Sequence, residues 1–174
     1  MTDIASDIAT NINPEMAAAA GAVMSRKTSY PVSASDIRRW AIAVYHPGQP
    51  PARFLTAESD ADLQAPEEFN PFAWIVASSE SSEDGSIEAN DPDRTEKSLG
   101  ITPPGLKFQL NGGMEVEYGA PLRVGDVITS ESTLAGYTER SGRLGLMLIT
   151  TFADTWTNQN GEHVKTSRTT LIRY

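Results

Sequence analysis

The sequence predicts an α+β domain in which an antiparallel sheet takes up the C-terminal part of the chain and something apolar covers one of its faces. Three observations carry this. Met114, Val116 and Tyr118 alternate with Glu115, Glu117 and Gly119, the period-2 pattern of a half-buried strand. Turn signals then recur at Arg123-Val-Gly-Asp126, Ser141-Gly142 and Asn158-Gln-Asn-Gly161, with Gly125 supplying the backbone freedom that a tight turn needs. Between and after these turns lie residues 127–137, 144–156 and 164–174. The middle one is a long apolar, Thr-rich run expected to be a central strand buried on both faces. Four strands in a meander need an apolar cover, and the rest of the chain must supply it.

From the N-terminus, Ile4, Ile8 and Ile12 recur at helical spacing up to Asn13-Pro14; a frayed terminus is the alternative. Pro14 opens a second expected helix with residues 17–23 as its body, so residues 1–29 read as a helical segment preceding a single domain of residues 30–174. Residues 33–45 form the best helix of the sequence. Ser33 and Asp36 make a variant capping box, and Ile37, Trp40, Ala41 and Val44 share one face, leaving Arg38 and Arg39 outside. His46-Pro-Gly-Gln-Pro-Pro51 ends it in a rigid loop.

Residues 65–77 are apolar, aromatic and punctuated by proline, and are expected to enter the core. The character then changes. Residues 78–98 hold seven acidic and two basic residues among serines, and read as a disordered, solvated surface loop. Asn111-Gly-Gly113 then leads into the first strand, where adjacent glycines suit either close backbone approach to a ligand or a bulge.

At 174 residues the chain is long enough for one domain with a core. The absence of cysteine excludes disulfides and thiol catalysis and agrees with a cytoplasmic setting. A net charge of -9 argues against nucleic-acid binding. The Ala-rich stretch at 16–24 is too short for a membrane span and has no basic region before it.

Chemistry-bearing residues are few. Neither a metal-ligand spacing, nor a nucleophile elbow, nor a phosphate-binding glycine loop is present. Of the two histidines, His163 shares a strand face with Lys165 that is expected to be solvated, whereas His46 caps the best helix beside prolines and is the weak catalytic candidate. Asp154 and Arg168 are both expected on the apolar faces of their strands, paired with each other or facing a ligand cavity.

Residues 32–45, Ala65-Pro-Glu-Glu-Phe69, Leu110-Asn-Gly-Gly-Met-Glu-Val-Glu-Tyr118 and Pro121-Leu-Arg-Val-Gly-Asp126 together resemble the N-terminal MaoC-like dehydratase family, in order and spacing, over nearly the whole chain from Met16. The resemblance implies a hotdog fold, an antiparallel sheet wrapped around a helix. It implies R-specific hydration of enoyl thioesters, or dehydration of 3-hydroxyacyl thioesters, carried on coenzyme A or acyl carrier protein, by paired hotdogs and without a further cofactor. In the wider family an Asp and a His in a motif of the type Gly-Asp-x-Asn-Pro-x-His activate the water, and a backbone N–H polarises the thioester carbonyl. With Pro47 matched to the motif proline, Val44 stands where the Asp belongs and Gln49 where the His belongs.

The resemblance is therefore to a non-catalytic, substrate-binding half that needs a catalytic MaoC-like partner subunit. Phe69, Trp74, Asn111, Gly112 and Gly113 are its candidate substrate-lining residues. Two other readings remain: a self-sufficient homodimer using His46, and a non-enzymatic acyl-CoA-binding module. The prolines between Phe69 and Asn111 imply a shortened central helix, and the space vacated either accepts a bulky acyl group such as a steroid side chain or is filled by the long insertion folding back.

Overall fold

The computed structural model describes residues 10–73 and 90–174. Five strands, β1 (Val23–Thr28), β2 (Gln109–Tyr118), β3 (Thr129–Gly142), β4 (Gly145–Thr157) and β5 (His163–Arg173), form one antiparallel sheet in the order β1-β3-β4-β5-β2. Helices α1 (Pro14–Ala18), α2 (Ala34–Tyr45) and α3 (Arg94–Leu99) accompany it. No helix among the described residues is long and apolar enough to cross a membrane.

The capping box forms as expected. Ser33 Oγ accepts from the Asp36 backbone N–H at 3.2 Å and donates to Asp36 Oδ2 at 2.7 Å, which fixes where α2 begins. Ile37 and Ala41 are fully buried beneath it. The Arg123–Asp126 turn closes on its own aspartate, the Arg123 N–H donating to Asp126 Oδ2 at 2.7 Å. Reciprocal backbone bonds from Val32 to Asp126 (2.9 Å) and from Gly125 to Val32 (2.8 Å) then tie the entry of α2 to the sheet. The main core gathers Val32, Ile37, Leu63, Phe69, Phe72, Leu122, Ile128, Trp156 and Val164.

The structure corrects several expectations. The helix expected over residues 14–23 ends at Ala18, and Val23–Thr28 is an edge strand paired with β3. Its exposed Ser25, Arg26 and Lys27 conceal any alternation, because an edge strand is held by backbone bonds and not by a buried face. The end of the acidic stretch is not solvated loop. Residues 94–99 are helical, Glu96 and Asp93 are buried, and Asp93 accepts the Gly105 and Leu106 N–H groups at 3.0 and 3.4 Å. Ile4 and Ile8, and residues 74–89, lie outside the described residues.

From Lys165 onward the faces of β5 are the reverse of those expected, while Val164 keeps its expected place in the core. Lys165 pairs with Trp156 and Arg173 with Leu148, on the side that carries the core, and Lys165 and Arg173 are both buried. Arg168, opposite Ala153, is exposed on the outer side. Asp154 faces inward and accepts from Ser130 Oγ (2.5 Å) and Trp156 Nε1 (2.9 Å), so the expected Asp154–Arg168 pair does not form. A register shift between Trp156 and Thr157 is responsible: a bulge reverses the in-out count that alternation alone predicts. The central strand β4 is buried on one face and only partly covered on the other. The alternating strand β2 lies at the sheet edge with Met114 62% exposed, so its inner face is uncovered by the described residues of this chain.

Candidate functional site

A cavity of about 450 Å³ opens where the C-terminal half of α2, residues 64–69 and the adjoining ends of β2 and β5 meet. Its parts are held by local bonds. The Ala65 N–H donates to the Leu122 carbonyl at 2.8 Å beside the Gln64–Arg123 bridge, which pins the 65–69 segment to the sheet end. Trp40 comes from the buried face of α2 and meets Phe69 edge to face, with ring centroids 5.7 Å apart. On the floor, Trp156 is fixed by its bond to Asp154 and by Phe72, 5.1 Å away and nearly perpendicular. Where β2 runs out, Gly119 and Ala120 donate to the Val164 and His163 carbonyls, each at 2.8 Å. A side chain at Gly119 would overlap the His163 carbonyl, so the close approach of these two strands requires glycine there.

Trp40, Tyr45, Phe54, Phe69, Tyr118 and Trp156 bring rings to the walls, and the ionisable groups in them are Arg53, Glu67, Glu68, Lys165 and the phenols Tyr45 and Tyr118. Lys165 is 8% exposed, with its ammonium 4.0 Å from the Trp156 ring centroid and 3.9 Å from Glu68 Oε2. Among the described residues nothing accepts a hydrogen bond from Lys165 Nζ, and the buried Trp40 indole N–H has no acceptor. No cluster of three metal-ligating side chains gathers among the described residues.

The candidates from the sequence are dispersed. Phe69 stands in the cavity wall. His46 is exposed just beyond the end of α2 and is not in the wall, whereas Val44 and Tyr45 are. Asn111, Gly112 and Gly113 lie at the opposite end of β2, where the register shift between Asn111 and Gly113 makes the doublet a bulge, and Asn111 Oδ1 accepts from the Gly113 N–H at 2.9 Å. Gly112 and Gly113 border a second hollow of about 380 Å³ with Arg168 and Thr170. The structure does not bring these three together with Phe69, and Trp74 lies outside the described residues. Lys165 and Trp156 were not singled out by sequence reasoning. Only the bulge that turns Lys165 inward marks it, and no local pattern announces that bulge.

Comparison with known proteins agrees with this architecture. A family model described as FAS1-like, dehydratase domain region, matches residues 18–167. The truncated HadBC (3R-hydroxyacyl-ACP dehydratase) complex of Mycobacterium tuberculosis is similar at 20% identity, TM-score 0.52, over 88% of this chain and 96% of that one. The ChsH1-ChsH2 complex of the same organism is similar at 16% identity, TM-score 0.54, over 92% and 87%. A MaoC-like dehydratase is similar at 22% identity, TM-score 0.55, over 91% of this chain and 43% of that one. No match was found among curated proteins. The fold is that of the hotdog dehydratases, an antiparallel five-stranded sheet with few helices.

Proposed function

Since this chain belongs to the FAS1-like, dehydratase domain region family, we propose that it is the substrate-binding hotdog of an enoyl-thioester hydratase or 3-hydroxyacyl-thioester dehydratase whose acid/base pair is brought by a second MaoC-like subunit. One observation carries the reading: the cavity wall holds apolar and aromatic side chains but no histidine. Val44 and Tyr45 line it where α2 ends, His46 stands outside it, and His163 shares a 2.8 Å hydrogen bond with Thr166. Adding water to a double bond needs a base for the water and an acid for the α carbon, in reach of one another. Glu67 and Glu68 are in the wall, but no histidine stands there with them.

The open surface supports a partner. Leu110, Met114 and Tyr118 on edge strand β2, with Ile42 and Val44 on α2, are large apolar side chains left exposed. Such an edge and patch are normally covered. The aromatic walls suit a bulky acyl group of the steroid side-chain kind carried on coenzyme A.

Purified alone, the chain is expected to leave crotonyl-CoA and bulkier enoyl-CoA esters unhydrated while still binding them. Turnover appears when a co-purifying MaoC-like subunit with an Asp/His pair is added. Robust turnover by the isolated chain, lost in His46→Ala, would overturn the reading. Binding without turnover in the presence of such a partner would leave only an acyl-binding module.

A further inference from the structure

We propose that the outer face of the sheet, turned away from the core and the cavity, is a docking surface for an acidic amphipathic helix of a partner protein. The proposal is independent of the thioester reading, since it uses no group of the cavity wall.

Strand register decides which side chains stand on that face. Arg173 points inward to Glu96, so its neighbours Ile172 and Tyr174 point outward. Pairing sets Leu110 and Ile149 on either side of Ile172. Phe108 exchanges backbone bonds with Tyr174 and stacks on its ring, with centroids 5.4 Å apart. Met147, two residues before Ile149, extends the same outward row of β4. Phe108 and Leu110 are 59% and 48% exposed. The solvent face of an antiparallel sheet is ordinarily polar, and a contiguous apolar patch on one marks an interaction surface.

The charges around the patch give the chemistry of its partner. Arg140 stands opposite Met147, Arg143 lies in the β3–β4 turn, Lys107 precedes Phe108, and Arg168 is two residues before Thr170 on the same side of β5. None of these forms an ion pair among the described residues, whereas Arg26, Arg38, Lys97, Lys165 and Arg173 each have a carboxylate partner. Glu115 lies across from Arg168 without pairing to it, and Glu117 and Glu131 are farther down the strands, away from the patch. In a chain of net charge -9 the rim of this patch is therefore locally basic, which favours an acidic partner.

A sheet face offers side chains and no free backbone groups, so an added strand has nothing to pair with there. A helix instead brings an apolar stripe with acidic flanks. A second copy of this chain does not supply one. Stacking two such faces about a two-fold axis sets arginine against arginine, and α2, the longest described helix, carries Arg38 and Arg39. An anionic bilayer repels a chain of this net charge.

The test is a calorimetric titration of the full chain with two helical peptides of about 18 residues, or five turns. They share one leucine face and carry glutamates or lysines elsewhere. Net charge alone favours the lysine peptide, so the docking face predicts the opposite sign. The glutamate peptide binds about tenfold or more tighter, the sum of several exposed charge pairs. Arg140→Glu with Arg143→Glu, both at exposed positions, abolishes that preference. Phe108→Ser with Leu110→Ser weakens the glutamate peptide about tenfold through lost apolar burial, with circular dichroism confirming that each variant folds.

Equal or tighter binding of the lysine peptide overturns the proposal, as does a glutamate preference that survives the double arginine reversal. Self-association in analytical ultracentrifugation that Phe108→Ser with Leu110→Ser abolishes overturns it in favour of a second copy on this face. Binding to vesicles of phosphatidylcholine and phosphatidylserine, without binding of the glutamate peptide, overturns it in favour of a membrane surface.

Discussion

Arg173 grips Glu96 through two parallel hydrogen bonds, Nη1 to Oε2 at 2.7 Å and Nη2 to Oε1 at 2.8 Å, with both side chains removed from solvent. The same guanidinium donates to the Pro92 carbonyl at 2.6 Å and to Thr150 Oγ1 at 2.7 Å, and Tyr137 Oη donates to Glu96 Oε1 at 2.6 Å. Tyr137 and Thr150 are cross-strand neighbours on the inner face, so β3 and β5 each send a donor to a carboxylate carried by α3, while Thr150 of β4 braces the guanidinium. This cluster fastens residues 90–105 onto the sheet.

Glu96→Gln removes the anion and strands a buried guanidinium, and is expected to destabilise the fold by about 3–5 kcal/mol in urea denaturation. Replacing both partners together, as Glu96→Met with Arg173→Met, is expected to cost less than the single change, because no buried charge is left unpaired.

Stability should fall in acid through the same residue. Burial alone would raise the Glu96 carboxyl, but the hydrogen bonds from Arg173 and Tyr137 and the charge of Arg173 together hold it below its ordinary 4.5. A folded-state value below the unfolded one contributes stability that is fully present above the unfolded value and lost as pH drops through the folded one. The decline should therefore begin below about pH 4.5, and a Glu96→Gln series from pH 7 to pH 3 should lack that component.

Tyr137→Phe removes one hydrogen bond to a charged acceptor and should cost about 1.5–3 kcal/mol. Burial first, and then the hydrogen bond to Glu96 and its charge, push the Tyr137 phenol far above its ordinary 10. Its contribution is complete below about pH 10 and disappears only as pH climbs through the raised value. In an ultraviolet titration the Tyr137→Phe chain should lose a late-ionising phenol.

Gly119→Ala places a methyl group against the His163 backbone carbonyl, which cannot rotate aside. The strand ends must separate, at an expected cost of about 1–3 kcal/mol. Because Gly119 borders the cavity, acyl-thioester affinity should fall as well, read by calorimetry beside the melting curve.

His46→Ala should leave folding and the turnover of the reconstituted pair within about twofold of the parent, since an exposed position outside the cavity is ordinarily tolerant. A loss of about a hundredfold, the scale of a removed general base, would return His46 to the chemistry.

Much of the fold is legible in local patterns. The capping box at Ser33, the glycine in the Arg123–Asp126 turn and the Asn158 turn, where Asn158 Oδ1 accepts from the Asn160 and Glu162 N–H groups at 3.0 Å each, are short-range bonds set by neighbouring residues. The site is less legible. Phe69 is legible because an acyl tunnel needs aromatic walls. Lys165 was placed outside, because a period-2 count carries no notice of a bulge.

By itself the sequence determined the strand meander, the start of α2, the family resemblance and the missing Asp and His, since each depends on residue identities close together in the chain. The tertiary structure alone decided that Val23–Thr28 joins the sheet, that Glu96 is a buried clasp and not part of a solvated loop, and that Lys165 and Trp40 share a cavity. The reason is physical. Edge pairing, the burial of a charge and the sharing of a wall are properties of residues distant in sequence, settled only when β1 meets β3, α3 meets β5, and α2 comes to rest against the sheet.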